Sequence, residues 1–487
     1  MKTAGDLILV SNRLPASIEP SPGGPVLKPS SGGLVTALRP VLEARKGYWI
    51  GWPGEECEDF DDVDRLLRDS GTDSACQLVP VSLTADERKG FYSGFSNEII
   101  WPLFHDLQSR CNFDPVYWKT YVEVNHKFAQ VVARVAKNDS VVWVHDYHLM
   151  LVGDFLRKAG LRCRLGFFLH IPFPPLDIFE KLPWRSQIMR ALFEFDVIGL
   201  QTARDQQNFA GCVRRFLPEI NLHRDHEQFQ ANVDGRNILV GSFPIGIDFD
   251  EFADEAEQTN VAQRAAEIRR EIGGRQIVLG VDRLDYTKGV PERLKAFRLL
   301  LASHKELQRQ ISLVQIVVPS RENIPKYQEL KLEIETLTSQ INGQYGDPGW
   351  MPIHYIHRHL DRPELLALYR IADIALITPL KDGMNLVAKE FCAAQAGDHG
   401  VLVLSEFAGA ADQLRNGAVL VNPYDIEAVA KALHEAFHMS LKERRTRMRK
   451  LRRNVRNQNV FRWFEQFCKY LESPEPQRVS RVRTAHG

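Results

Sequence analysis

The amino-acid sequence predicts an α/β protein made of two doubly wound, Rossmann-like domains that face each other across a cleft. Three observations lead to this fold class. The chain has 487 residues, and a single hydrophobic core stops growing near ~250–300 residues, so two domains are expected. Short and continuously apolar runs recur along the chain, as parallel strands buried on both faces require. Stretches of helical periodicity separate these runs, and strands that alternate with helices build a doubly wound sheet.

The predicted strands fall into two sets, one in each half of the chain. The first set is DLILVSN, SVVWVHD, CRLGFFLH and FDVIGLQT, and the second is QIVLGVD, SLVQIVVP, ADIALITP and GVLVLSE. Helical periodicity fills the intervals, as in residues 121–137 and in the stretches PERLKAFRLLLASH and AVAKALHEAFHMSL. Each half therefore contains the repeated strand–helix unit of a doubly wound sheet.

The domain boundary is expected near residues 237–252, between the two sets of strands. We therefore assign residues 1–240 to an N-terminal domain and residues 241–455 to a C-terminal domain, both Rossmann-like. A last helix at residues 456–473 is expected to pack back on the N-terminal domain. The tail at residues 474–487 is polar, basic and proline-bearing, and it is expected to be disordered.

Composition excludes several classes of protein. Lys+Arg and Asp+Glu both number 62, whereas binding to nucleic acid or to a membrane surface needs a basic excess. The cysteines are scattered singly with no CxxC pair, which argues against a disulfide framework and a structural zinc site. No apolar run approaches the ~20 residues that span a bilayer, and the N-terminal run is shorter than a secretory signal. We expect a cytoplasmic protein with neither nucleic acid nor membrane as partner.

Polar residues follow the predicted strands of the first half, where the ligands of doubly wound sheets bind. Arg13 follows the first strand, Asp146 the second and His170 the third. Gly32 and Gly33 open a helix, and such a pair exposes backbone N–H groups to a sugar or a phosphate. Structural alternatives stay open: the glycines as a simple turn, Asp146 as a helix N-cap and His170 as a packing residue. The HDYH cluster around Asp146 offers too few ligands for a metal.

Cations and a helix start follow the strands of the second half. Arg283 and Lys288 come after one strand, and Arg321 comes after the next. The loop TPLKDGMN leads into a helix at Asn385, and Glu390 lies one turn into that helix. A helix N-terminus beside two cations favours a diphosphate, and a carboxylate one turn on can accept hydrogen bonds from ribose hydroxyls. We predict that Arg283 and Lys288 are unpaired because their partner is the diphosphate of a nucleotide. There is no Walker A motif and no GxGxxG after the first strand, which disfavours a P-loop kinase and a plain dehydrogenase.

Taken together, the motifs of this chain resemble those of the trehalose-6-phosphate synthases, retaining glycosyltransferases of the GT-B fold. They are VSNRLP, SSGGLV, YWIGWPGE, FSNEIIWPLFH, VWVHDYHL, GFFLHIPFP, GLQT, PIGID, VDRLDYTKGVPER, DGMNLVAKEF, FAGAA and VNPYD. The resemblance covers roughly residues 6–470. It implies transfer of glucose from a nucleoside diphosphate glucose, usually UDP-glucose, to glucose 6-phosphate, giving α,α-trehalose 6-phosphate. The N-terminal domain would take the acceptor and the C-terminal domain the nucleotide sugar.

The resemblance also implies a role for individual residues. Catalytic roles fall to His170, Arg283, Lys288 and Asp382. The donor would bind Gly32, Gly33, Arg283, Lys288, Leu360, Asp382, Gly383, Met384, Asn385, Leu386, Val387 and Glu390. The acceptor would bind Arg13, Tyr92, Trp101, Asp146 and Arg321. The implied mechanism is front-face attack in which the departing diphosphate takes the acceptor's proton. The protein then stabilises leaving-group charge and positions the acceptor, and neither a metal nor a cofactor is expected.

Two other functions stay open at this point. One is a sister transferase that uses glycerol 3-phosphate and makes glucosylglycerol phosphate, although Arg13, Tyr92 and Trp101 favour a sugar phosphate. The other is an inactive regulatory homologue, which should have lost residues such as Lys288 or Glu390. Free trehalose would need a separate trehalose-6-phosphate phosphatase as a pathway partner. A homo-oligomer, the choice among UDP, ADP and GDP, and allosteric control are left open.

Overall fold

The structure is a computed structural model, and it describes residues 5–19, 26–29, 35, 38, 47–54, 76–321 and 324–472. The described chain forms two compact units. The first contains the residues up to Phe243 and those from Phe464 onward, and the second contains Pro244–Trp463. Each unit is built on a largely parallel sheet with helices in its connections. The predicted α/β class with two doubly wound domains is therefore confirmed.

The first unit contains strands β1 to β11 among its described residues. They are β1 Leu7–Arg13, β2 Ala16–Glu19, β3 Val26–Pro29, β4 Gly47–Trp52, β5 Cys76–Pro80, β6 Val141–His145, β7 Arg164–Phe168, β8 Val197–Leu200, β9 His223–Asp225, β10 Gln228–Val233 and β11 Arg236–Ser242. The main sheet has the order β5-β4-β1-β6-β7-β8-β11-β10-β9, and β2 pairs with β3 separately. Strands β5 through β11 of this order are parallel, and the β11-β10-β9 edge is antiparallel.

The order of strands creates a switch point in the middle of the first sheet. From β1 the chain moves to β4 and β5 on one side, and it then returns to β6 on the other side of β1. β1 and β6 are paired directly, with Val10 opposite Val144. Arg13 at the end of β1 and Asp146 just after β6 therefore lie at the edge where a doubly wound sheet binds its ligand.

The described helices of the first unit are α1 Ala85–Glu87, α2 Trp101–Phe104, α3 Pro115–Val135, α4 Val152–Lys158, α5 Leu176–Phe179, α6 Arg185–Leu192 and α7 Ala203–Phe216. A helix of π type, Arg88–Ile100, joins α1 to α2, and 3₁₀ turns lie at Gln108–Arg110 and Tyr147–Leu149. Helix α3 begins earlier than the apolar pattern predicts because the carboxylate of Asp114 accepts a hydrogen bond from the N–H of Val116 at 2.9 Å. Proline in the first turn supports the same start.

The second unit repeats the pattern with a sheet that is parallel throughout. Its described strands are β12 Gln276–Arg283, β13 Ile311–Val318, β14 Ile353–Ile356, β15 Ile374–Ile377, β16 Val401–Ser405 and β17 Val419–Val421, in the order β14-β13-β12-β15-β16-β17. Its described helices are α8 Phe249–Glu257, α9 Thr259–Glu271, α10 Val290–Ser303, α11 Pro325–Tyr345, α12 Arg362–Ile371, α13 Leu386–Ala394, α14 Ala410–Leu414, α15 Ile426–His438, α16 Leu441–Asn457 and α17 Val460–Leu471. Here the switch point lies between β12 and β15, which pair through Val278 and Ile374.

The last helix, α17, belongs to the first unit from Phe464 onward. The ring of Phe467 stacks on Trp143 of β6 with 4.4 Å between ring centroids. Gly199 of β8 permits this approach, because a Cβ at that position would meet the Phe467 ring. The second half of α17 therefore covers one face of the first unit's sheet.

Each strand that the sequence predicts is present, as β1, β6, β7, β8, β12, β13, β15 and β16. The short strands β4, β5, β14 and β17 and the β9–β11 hairpin edge were not predicted. The predicted tail and the glycine pair Gly32 and Gly33 lie outside the described residues. Within the described chain, no helix combines the length and the apolarity needed to cross a bilayer.

Candidate active site

The second unit gathers charged side chains at its switch point. Strand β12 ends at Arg283, and a 3₁₀ turn at Tyr286–Lys288 leads into α10. Gly289, between that turn and α10, has a φ of 64°. A Cβ on Gly289 would collide with the carbonyl oxygen of Thr378, which follows β15. The close approach of these two loops brings Lys288 to the segment that contains Asp382.

Lys288 is paired within the protein, so the prediction that it has no protein partner is wrong. Its Nζ donates to Oδ2 of Asp382 at 2.6 Å, and both side chains are largely buried. The same oxygen accepts from Nδ2 of Asn385 at 3.2 Å. Arg283 differs, because it is exposed and makes no side-chain hydrogen bond or ion pair with any described residue. The pair fixes the position of the ammonium group, while Arg283 keeps its charge open to solvent.

A second carboxylate, Asp285, lies within the same motif and was overlooked in the sequence. Its Oδ1 accepts from the N–H and the hydroxyl of Thr287 at 3.0 and 2.9 Å. Its Oδ2 lies 3.4 Å from a guanidinium nitrogen of Arg321. Burial tends to raise the pKa of Asp285, but Arg321, Lys288 and Arg283 outweigh burial and lower it below its ordinary value. Three cations thus share two carboxylates, which leaves one positive charge in excess.

Arg321 follows β13, as predicted, and its side chain is held inside the second unit. The guanidinium donates to the hydroxyl of Tyr327 at 2.7 Å, in addition to its contact with Asp285. The backbone of Arg321 has a φ of 52°, which is uncommon for a residue with a side chain. The strand end therefore holds this arginine in a defined orientation.

Arg293 is a buried residue of this cluster that the sequence reasoning missed. Its guanidinium bonds the carboxylate of Asp282, the side-chain oxygen of Gln315 at 3.0 Å and the hydroxyl of Thr378 at 3.1 Å. It therefore ties together β12, β13 and the loop after β15. A signal was present in the sequence, because Arg293 falls on the apolar face of the predicted helix, where a charge needs a buried partner.

The loop at residues 382–387, which is predicted to bind the donor, leads into the N-terminus of α13. Asn385 has a φ of 78°, and its side chain accepts from the N–H of Ala388 at 3.1 Å. The N–H of Met384 lies 3.4 Å from Oδ1 of Asp382. The remaining predicted loop residues are Gly383, Leu386 and Val387, of which Gly383 is buried. This geometry presents a helix N-terminus next to the Lys288–Asp382 pair.

Glu390 and Leu360 complete the predicted donor residues of the second unit. The hydroxyl of Tyr369 donates to Oε2 of Glu390 at 2.9 Å. Burial raises the pKa of Glu390, although Tyr369 and Arg362 act in the opposite direction. Leu360 is buried just before α12. Glu390 therefore lies one turn into α13, where the hydrogen bond from Tyr369 fixes its orientation.

Arg13, the predicted cation of the first unit, is held by aromatic rings. The guanidinium of Arg13 lies over the ring of Trp52 at 4.7 Å and near that of Tyr92 at 5.8 Å. Tyr92 in turn stacks on His148 at an interplanar angle of 10°. Arg13 is exposed at the end of β1. Aromatic faces orient a guanidinium without neutralising it, so this charge remains available to an anion.

Asp146 has an unusual backbone. Its φ and ψ are 74° and 167°, a region populated almost only by glycine, which costs about 1–3 kcal/mol. Its side chain makes no capping bond to the turn Tyr147–Leu149, so the N-cap alternative is wrong. Instead Oδ1 accepts from the backbone N–H of His170 at 3.2 Å. The buried hydroxyl of Tyr121 fixes the following turn by donating to the carbonyl of Tyr147 at 2.8 Å.

His170 belongs to a chain of neutral side chains. Its Nε2 lies 3.1 Å from Nδ1 of His145, and its Nδ1 lies 3.5 Å from the amide of Gln201. Burial lowers the pKa of His170 to about 3 and that of His145 well below its ordinary value. One imidazole therefore donates to the other, and His170 acts through hydrogen bonds rather than through a positive charge.

Trp101, the remaining predicted acceptor residue, is buried next to the turn at Tyr147–Leu149. Its ring lies 4.3 Å from that of His105 and 5.8 Å from that of Tyr147. Among the described residues, the structure thus groups Arg13 with Tyr92 and Asp146 with His170. It groups Lys288 with Asp382 in the other unit.

Comparisons with known proteins agree with the resemblance in the motifs. Residues 5–473 match glycosyltransferase family 20. The chain is 43% identical over 488 residues to the trehalose-6-phosphate synthase of Mycolicibacterium paratuberculosis, covering 98% of both chains. It is 43% identical over 480 residues to that of Mycobacterium avium, covering 97% of this chain and 96% of the relative.

Solved structures are similar over the same extent. One is an alpha,alpha-trehalose-phosphate synthase (UDP-forming) from Burkholderia xenovorans in complex with glucose-6-phosphate. It has a TM-score of 0.86 and 35% identity, covering 96% of this chain and 100% of that one. Another, from E. coli, is bound with UDP-2-fluoro glucose and has a TM-score of 0.86 and 34% identity, covering 97% and 100%.

Proposed function

Because the chain belongs to glycosyltransferase family 20, we propose that it transfers glucose from UDP-glucose to glucose 6-phosphate. The products are α,α-trehalose 6-phosphate and UDP, and the anomeric configuration is retained. The observation that carries this proposal is the Lys288–Asp382 pair beside the exposed Arg283, at a switch point that faces a helix N-terminus. The relatives named as synthases and the structures with glucose-6-phosphate and UDP-2-fluoro glucose support the choice of substrates.

On the donor side, the protein's task is to stabilise charge that develops on the leaving diphosphate. As the bond from glucose to the diphosphate breaks, negative charge moves to the phosphate oxygens. Arg283 and Lys288 supply positive charge there, and the N–H groups at the start of α13 supply dipoles. Asp382 keeps Lys288 in place before the donor binds. This arrangement is organised in advance, so the charge is stabilised without a large rearrangement.

On the acceptor side, a phosphate dianion is attracted most strongly by a cation that no carboxylate neutralises. Arg13 fits this requirement because rings rather than carboxylates hold it. Tyr92 lies next to it and can donate its hydroxyl to the same phosphate. We assign Arg321 to the acceptor phosphate as well, held in orientation by Tyr327.

The sugar itself would meet Asp146, Trp101 and His170. The Asp146 carboxylate accepts hydrogen bonds from hydroxyls, and its strained backbone fixes where it points. His170 is neutral at physiological pH. It therefore contributes a hydrogen bond beside the reacting glucose and leaves the acceptor's proton to the departing diphosphate.

The product is a phosphate ester, so its conversion to free trehalose would require a separate phosphatase. The described cysteines are free, which fits a reducing compartment and a cytoplasmic location. Both statements are part of the proposal.

The test is release of nucleoside diphosphate from UDP-, ADP- and GDP-glucose, with glucose 6-phosphate, glycerol 3-phosphate, glucose or no acceptor. We expect release from UDP-glucose that depends on glucose 6-phosphate, with trehalose 6-phosphate as the product. Release that depends on glycerol 3-phosphate instead would identify the sister transferase. No release with any pair of substrates would contradict the proposal.

A further inference from the structure

Two histidines and one glutamate converge in the second unit, away from the charged residues that follow β12, β13 and β15. His304 ends helix α10, Glu306 lies in the next 3₁₀ turn, and His434 lies on α15. Helix α10 starts after Gly289 and rises about 1.5 Å per residue. His304 therefore lies roughly 20 Å from the turn at Tyr286–Lys288. In the part of the chain that the structure describes, this is the one group whose ligand atoms all lie within 4.8 Å of one another.

The distances suit a single ion. Nδ1 of His304 lies 3.2 Å from Oε1 of Glu306, and Nε2 of His434 lies 3.9 Å from the same oxygen. Zinc binds imidazole nitrogen and carboxylate oxygen at ~2.0–2.2 Å in a tetrahedron, which separates the ligand atoms by about 3.3–3.6 Å. The rings of His304 and His434 are stacked with 3.9 Å between their centroids and 20° between their planes, so one ring has to turn out of this stack for both nitrogens to bind the ion. Two imidazoles and one carboxylate form a donor set that zinc prefers over magnesium or calcium.

The site is accessible, because the side chain of Glu306 is 58% exposed. The histidine side chains are about one third exposed, so solvent and ions reach them.

We propose that His304, Glu306 and His434 bind one zinc ion, with solvent in the fourth position. The ion joins the end of α10 to α15, two segments that are distant in the sequence. Its role is structural, because the site does not include any residue that we assign to the donor or to the acceptor. Zinc binding should therefore stabilise the folded protein by mass action while leaving turnover unchanged.

The experiment measures zinc directly rather than through activity. The protein is stripped with EDTA, loaded with Zn²⁺ and dialysed, and its zinc content is measured by mass spectrometry. Affinity follows from competition with a chromophoric chelator. The variants are His434→Gln, Glu306→Gln and the double variant His304→Ala/His434→Ala. His223→Ala, an exposed histidine of β9, is the matched control.

We expect one zinc per chain in the wild type and in His223→Ala, with a higher melting temperature when zinc is added. His434→Gln and Glu306→Gln should lose at least about tenfold in affinity, and the double variant should bind no zinc at this site. Circular dichroism checks that each variant is folded. Equal zinc content and affinity in the wild type and the double variant would overturn the proposal. The transferase assay is a separate readout, so failure of the zinc site and failure of the proposed reaction are distinguishable.

Discussion

The two units hold the cations at the ends of their strands by different means. In the second unit, Lys288 and Arg321 are paired with Asp382 and Asp285. In the first unit, the guanidinium of Arg13 lies over aromatic rings. An ion pair positions a cation but neutralises part of its field, whereas a ring positions the cation and leaves its charge intact. We infer that the Lys288–Asp382 pair suits charge that develops during the reaction, and that the ring-supported Arg13 suits a phosphate that is fully charged on arrival.

The largest effect is expected at Arg293, the buried arginine that ties together β12, β13 and the loop after β15. Arg293→Met removes the partner of the buried Asp282 and leaves that carboxylate uncompensated. We expect the free energy of unfolding to fall by about 3–5 kcal/mol, measured by urea denaturation. Arg298→Met is the matched control on the same helix, since Arg298 is only half-buried and bonds Gln344. A loss as small as that of Arg298→Met would mean that Arg293 does not organise this cluster.

The next effect tests whether Lys288 acts on the developing charge. Lys288→Ala should lower kcat by ~10²–10³-fold, because the interaction strengthens as the diphosphate departs. Lys295→Ala, an exposed lysine on α10 paired with Glu333, should leave kcat unchanged. Steady-state release of UDP gives both kcat and KM. An effect on KM alone would show that Lys288 only attracts the donor, and it would remove the distinction between the two clusters.

A smaller effect is expected where a paired cation is assigned to the acceptor. Arg321→Ala removes a charged hydrogen bond worth roughly 1.5–3 kcal/mol, so glucose 6-phosphate should bind about 10- to 150-fold more weakly in the presence of UDP. Binding of UDP alone should change little. Arg358→Ala, whose exposed guanidinium bonds Glu364, is the control. If UDP affinity falls as far as acceptor affinity, Arg321 belongs with the donor residues.

The smallest effect concerns the ring that supports Arg13. Trp52→Leu removes a cation–π contact worth about 0.5–1 kcal/mol, so glucose 6-phosphate affinity should fall by roughly 2- to 5-fold. Trp52→Phe retains an aromatic face, so its affinity for glucose 6-phosphate should fall less. Calorimetric titration with UDP present measures both. An identical loss in the two variants would show that the ring fills space and does not orient Arg13.

Much of the fold and many site positions followed from the sequence, because they depend on local patterns. Strands buried on both faces have continuous apolar runs, so the polar residues at their ends can be identified in the sequence. The short strand β17 and helix α16 were missed for physical reasons. Only three residues pair in β17, and α16 is mostly charged, with Arg444, Met448, Leu451 and Val455 as its buried face.

Contacts between distant segments were not readable in this way. The Lys288–Asp382 pair depends on β15 returning beside β12, which no local pattern specifies. The conformation of Asp146 depends on neighbouring strands, because its N–H donates to the carbonyl of Phe168. Local propensity therefore suggested an N-cap where tertiary contacts impose a strained backbone.

One pair of titrations tests the central claim, that Lys288, paired with Asp382, binds the donor diphosphate and that the ring-supported Arg13 binds the acceptor phosphate. UDP, and then glucose 6-phosphate in the presence of saturating UDP, are titrated into the wild type, Lys288→Ala and Arg13→Ala, all in EDTA. The account predicts a crossed result. Lys288→Ala should lose affinity for UDP, whereas Arg13→Ala should keep its affinity for UDP and lose affinity for glucose 6-phosphate. Unchanged UDP affinity in Lys288→Ala, or equal losses for both ligands in Arg13→Ala, would contradict it.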